Sequence, residues 1–243
     1  MLKTLADFKC EEFVFEGKEA IVVLPEAKDP LGRWVLKTEY WGAYPDIEIK
    51  LLQRGFHVAF LRNDTRFATA EECGRKSRFV RFVAEKYSLS DKCVPVGMSC
   101  GGAHAVRFAG LYPDQVSCMF IDAPVLNYFS FPGKIGNNEC ESVWDNEFVK
   151  AYPGIERYKL LSFSEHPICY ADVIKEKKIP VIMVYGSEDK CVIYEENGYL
   201  LEEALKETGL LKTVKVSLRG HHPHGMIGDN TTIVDFIDVN SKR

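Results

Sequence analysis

The chain has 243 residues, 46% of them hydrophobic and 27% charged, and 31 basic side chains stand against 35 acidic ones for a net charge of −4. That size and balance suit one globular domain with a substantial core. They exclude a basic footprint for nucleic acid, an attraction to anionic membrane surfaces and an apolar run long enough to span a bilayer.

Residues 13–15 and 20–24 read as an opening pair of strands around Glu16-Gly17, and Trp34-Val35-Leu36 as a third strand. Residues 46–54 have helical spacing that stops at Gly55, where a C-terminal glycine belongs. Residues 56–61 form a continuous apolar strand, and 69–87 a long helix with Phe79, Val80, Phe82 and Val83 for its inner face. Residues 92–96 read as a buried strand and 102–109 as a helix. Between them stands Gly97-Met98-Ser99-Cys100-Gly101, so Ser99 falls on a sharp strand-to-helix turn. Such a turn imposes an unusual backbone angle on the serine and needs small residues two positions to either side.

The alternation continues with strands at 116–121, 181–185 and 214–218 and helices at 195–208 and 231–240. Strands alternating with helices imply an α/β fold: a mostly parallel central sheet with helices on both faces. Functional residues of such a sheet gather at the carboxyl ends of its strands. The whole chain, 1–243, reads as a single domain. Within it, residues 124–178 are irregular and rich in aromatic side chains. This stretch is a long surface excursion or, in the reading preferred here, a cap insertion over a site.

Eight cysteines are scattered without a C-x-x-C pair, several within apolar runs that suit buried reduced thiols. The first residues lack the apolar stretch and cleavage signature of a signal peptide. A cytoplasmic location is expected.

A serine hydroxyl needs an adjacent base, and that base needs an orienting acid. Asp189 directly follows the strand at 181–185, and His221 follows the next strand through Arg219-Gly220. Nucleophile, acid and base thus occur in the order Ser99, Asp189, His221, which is the order that goes with a serine on such an elbow. Asp122, also at a strand end, is the rival acid, and His224 the second choice of base. His104, inside the helix after Ser99, reads as a packed core histidine. His221, His222 and His224 could suggest a metal, but Pro223 opposes a helix that would align them, so no metal is expected.

On Gly97-Met98-Ser99-Cys100-Gly101-Gly102, Gly186-Ser187-Glu188-Asp189 and Gly220-His221, the chain resembles the α/β-hydrolase superfamily, and within it bacterial serine esterases. The resemblance covers nearly the whole length. It implies an α/β-hydrolase fold, a Ser-His-Asp triad and a cofactor-free hydrolase of carboxylic esters. The superfamily often carries His-Gly after its third strand, whereas this chain has Lys37-Thr38-Glu39-Tyr40-Trp41-Gly42. The expected oxyanion donors are the backbone N–H of Cys100 and that of Glu39 or Tyr40. Trp41, Tyr128 and Phe131 are the expected substrate contacts.

The expected partner is a small soluble ester, such as an acylated carbohydrate or an aryl ester; a homo-oligomer is allowed. A peptidase or amidase on the same scaffold is the alternative, and a non-catalytic binding protein a more distant one. The glycines at 97, 101 and 102 do not make a dinucleotide fingerprint, and no phosphate-loop lysine follows them.

Overall fold

The computed structural model describes residues 4–221 and 230–242. In chain order the strands are β1 (Lys9–Phe15), β2 (Lys18–Leu24), β3 (Trp34–Lys37), β4 (His57–Leu61), β5 (Val94–Met98), β6 (Met119–Asp122), β7 (Val181–Gly186) and β8 (Leu211–Val216). The α-helices are α1 (Asp46–Gln53), α2 (Ala70–Tyr87), α3 (Cys100–Leu111), the single turn α4 (Val149–Ala151), α5 (Ala171–Glu176), α6 (Gly198–Ala204) and α7 (Thr231–Asn240). The strands make one sheet in the order β1-β2-β4-β3-β5-β6-β7-β8. β1 and β2 enter antiparallel, and every pair from β4 through β8 is parallel.

Side-chain alternation along the strands builds two cores. Trp34, Leu36, Ala59, Leu61, Met119, Ile121, Val181 and Met183 face α2, α3, α5 and α6. Their alternates Val35, Val58, Phe60, Phe120, Ile182 and Val184 face Ile47 and Leu51 of α1 and Ile233 and Ile237 of α7. Both faces are therefore apolar, as a sheet covered on both sides requires. α2 starts on a capping box: Thr69 Oγ1 accepts from the Glu72 N–H, and the Glu72 carboxylate accepts from the Thr69 N–H at 2.9 Å.

Several boundaries shift from the expectations. β5 runs two residues later than expected and takes in Gly97 and Met98. β8 begins three residues early and ends at Val216, because the chain turns with Leu218 at φ +58°. The expected helix 195–208 is broken: a 3-10 turn, Tyr194–Glu196, precedes α6.

Between β6 and β7 the chain makes a long excursion of short helical pieces, Trp144–Phe148, Val149–Ala151, Arg157–Ser162 and Pro167–Tyr170, that leads into α5. Its aromatics form an inner cluster in which Tyr128, Phe148, Tyr152 and Phe163 pack edge-on or tilted at centroid distances of 5.0–6.4 Å. The expectation for the cysteines is corrected in one pair. Cys73, Cys93, Cys100 and Cys118 are buried free thiols, but Cys140 and Cys191 form a disulfide across 51 positions. Among the described residues no helix is long and apolar enough to cross a membrane.

Candidate active site

Ser99 sits between β5 and α3 with φ +52° and ψ −120°, a strained conformation for a residue with a side chain. The turn closes because Gly97 has no Cβ: one built there would lie 2.1 Å from the Gly101 carbonyl oxygen. Neighbouring strand ends fix the serine backbone, since Ser99 N–H donates to Asp122 O at 2.8 Å and Ser99 O accepts from Val125 N–H at 3.0 Å. α3 follows at once, so the first N–H groups of the helix, Cys100 foremost, have no carbonyl one turn back to bond.

The loops after β7 and β8 deliver the other two groups. His221 Nε2 lies 2.9 Å from Ser99 Oγ, and His221 Nδ1 lies 2.7 Å from Asp189 Oδ2. Asp189 Oδ1 accepts from the backbone N–H of Cys191 at 2.8 Å and of Val192 at 2.9 Å. The acid is thus anchored through one oxygen and faces the imidazole with the other. Its side chain is 1% exposed and that of His221 18%, so the pair is shielded on the acid side and open on the serine side. This is the hydrogen-bond row by which a base is oriented toward a hydroxyl nucleophile.

The row opens into a cavity of about 280 Å³ lined by Tyr40, Tyr44, Arg66, Met98, Phe131 and Cys191 beside Ser99 and His221. Tyr40, at φ +54°, lines this space. Its N–H donates to the Glu39 carboxylate at 3.2 Å and is thereby engaged. The Glu39 nitrogen lies 3.6 Å from where a Cβ on Gly101 would stand. Burial pushes the Cys100 thiol up to about 11, which keeps it protonated near neutral pH.

Two expected substrate contacts lie away from this cavity. Tyr128 is fully buried, its hydroxyl donating to Phe67 O at 2.7 Å, and it does not line the cavity. Trp41 stacks on Phe60 at 5.5 Å and packs with the α1/α7 core on the other face of the sheet. Phe131 is in the cavity. Asp122, the rival acid, is buried in a small internal space with Lys37 and Glu48, while Asp189 holds the histidine. His104 is buried in α3, and that burial, with Lys76 beside it, lowers its pKa. His224 lies outside the described residues, and among those described no group of three or more His, Cys, Asp or Glu side chains could hold a metal ion. Sequence reasoning misses Arg66, which lies in the loop after β4 with no motif around it.

No protein-family model matches the chain, and neither does any curated protein. Solved structures do. A puromycin-hydrolyzing peptidase from Mycobacterium tuberculosis superposes with a TM-score of 0.76 at 14% identity, over 97% of this chain and 40% of its own. The acylaminoacyl peptidase of Pyrococcus horikoshii gives 0.73 at 15%, over 98% and 42%. An esterase of Pyrococcus furiosus gives 0.69 at 15%, over 99% and 95%. The chain spans about two fifths of the length of the peptidases it resembles. At such identities the likeness bears on the fold: it is the α/β-hydrolase fold, and at its rim Ser99, His221 and Asp189 form a site of the serine-hydrolase type.

Proposed function

We propose that this chain hydrolyses an acyl bond of a small substrate through an acyl-enzyme on Ser99. Ser99 Oγ attacks the carbonyl carbon while His221 Nε2 takes its proton. Asp189 holds the Nδ1–H tautomer and stabilises the imidazolium. The N–H groups of Cys100 and Glu39 donate to the tetrahedral oxyanion, a contribution of about 3–4 kcal/mol per donor. The intermediate collapses as His221 protonates the leaving group. Water then attacks the acyl-enzyme by the same proton path in reverse. The single observation that carries this reading is the unbroken row of hydrogen bonds, 2.9 Å from serine to imidazole and 2.7 Å from imidazole to carboxylate.

An amide is the first reading of the scissile bond, because most of the structural neighbours named above are peptidases. A carboxylic ester is the second, favoured by the esterase that matches this chain over 95% of its own length. Residues 124–178 act as a cap in this proposal, supported by the position of Phe131 in the cavity wall. The proposal keeps a cytoplasmic location on the strength of four buried thiols; the Cys140–Cys191 disulfide opposes it, since such bonds persist in oxidising compartments.

A p-nitroanilide and a p-nitrophenyl ester sharing one acyl group, given to wild type and Ser99→Ala, test both levels. Turnover of both by wild type and of neither by the variant is expected. Ester turnover alone supports the second reading, and full activity in Ser99→Ala overturns the site.

A further inference from the structure

Arg66 stands in the wall between two spaces. It lines the cavity that holds Ser99 and His221, and it also lines a polar groove of about 380 Å³ on its far side. Its guanidinium is used unevenly. The Nε and Nη2 edge is closed by a bidentate pair with Glu147, at 2.6 and 2.5 Å. Glu147 comes from the Trp144–Phe148 helix of the insertion and lines the groove but not the cavity. Nη1 has only a long contact, 3.4 Å, to the hydroxyl of Tyr40, which lines the cavity but not the groove. A guanidinium has five N–H donors, and this one spends two of them well. The lightly used Nη1 thus lies against Tyr40, a residue of the cavity wall that Ser99 shares.

The charge balance restricts what Nη1 takes. Glu147 is paired to Arg66 at hydrogen-bond distance, so the cavity meets the end of a compensated pair. The groove behind is balanced in the same way, with Arg62, Arg66 and Lys150 against Glu39, Asp64 and Glu147. An uncharged oxygen gains a charge-assisted hydrogen bond there. A carboxylate would gain the same bond but would also meet Glu147 behind it, with little net field to offset its desolvation. We infer that Arg66, held by Glu147, is a specificity-determining residue that selects substrates with an uncharged oxygen acceptor, a carbonyl or hydroxyl, on the part that extends from the Ser99 cavity toward the groove. This inference rests on the acyl-hydrolase reading and names the substrate class for it.

Three p-nitrophenyl esters test it: the hexanoate, with no acceptor; the adipamate, with a neutral terminal amide; and the adipate, with a terminal carboxylate. Wild type should prefer the adipamate to the other two by roughly tenfold in kcat/KM, the size of the net gain from one hydrogen bond to a charged donor. Arg66→Ala should bring the adipamate-to-hexanoate ratio near one, and Arg66→Lys should restore part of it. Glu147→Gln, which leaves the cation uncompensated, should raise the adipate-to-adipamate ratio by about tenfold, as a newly charge-paired hydrogen bond would. Fluorophosphonate labelling of Ser99 in each variant reports an intact elbow. An Arg66→Ala variant that slows all three esters equally, or a Glu147→Gln variant that leaves the adipate-to-adipamate ratio unmoved, overturns the inference while the hydrolase reading stands. A wild type that turns over none of the three and takes no label on Ser99 overturns both.

Discussion

Asp189 occupies the most constrained position in the site. One carboxylate oxygen is held by two backbone N–H groups, and the other faces His221 Nδ1. Asp189→Asn keeps the shape but presents the wrong partner to the imidazole, so kcat should fall on the order of 10⁴-fold with the fold intact. Steady-state kinetics alongside circular dichroism check this. Ser99, Asp189 and His221 were legible in the sequence because each follows a strand in a turn rich in small residues, and a parallel sheet carries such turns to one rim. Trp41 and Tyr128 were not, because direction decides their use. Both are aromatics near the site in sequence, yet one points to the far face of the sheet and the other into the aromatic cluster of the insertion. Arg66 became visible only once the insertion brought Glu147 against it.

Two of the ties between elements around the site are directly testable. α1 is fastened to the end of β3 by the Lys37–Glu48 pair at 2.5 Å, with both side chains almost fully buried. Glu48→Ala leaves a buried ammonium without its counter-ion and should destabilise the protein by about 3–5 kcal/mol, read as a lower urea midpoint. The insertion is fastened to the loop of the catalytic acid by the Cys140–Cys191 disulfide, by Glu139 N–H donating to Lys190 O at 2.7 Å, and by the Lys190–Glu139 ion pair at 3.2 Å. Reduction should lower stability by about 2–4 kcal/mol. Because Cys191 N–H also holds Asp189, activity should fall before the fold melts; thermal unfolding and turnover with and without a reductant measure the two effects. The strand–helix rhythm told where these elements run, since apolar periodicity follows burial. The disulfide partners lie 51 positions apart, and spacing alone cannot choose one pair among eight cysteines.

Across the whole molecule, buried histidines make folding sensitive to acid. Burial holds His57, in β4, at about 4, with Lys28 adding in the same direction, and burial also lowers His104. The ordinary value is about 6.5, so the unfolded chain binds these protons first as pH falls. Stability should be full above pH ~6.5 and decline as pH drops toward ~4. Urea midpoints across that range should show the decline in wild type and a shallower one in His57→Gln. At this scale a serine and a histidine 122 residues apart, with an aspartate from the turn between them, act as one unit. The most direct measurement of that coupling is the rate of Ser99 labelling by a fluorophosphonate probe, mapped by peptide mass spectrometry, in wild type and His221→Ala. A label on Ser99 alone is expected in wild type, with a loss of at least about a hundredfold in rate without the imidazole. Labelling on another residue, or an undiminished rate in His221→Ala, would contradict that coupling.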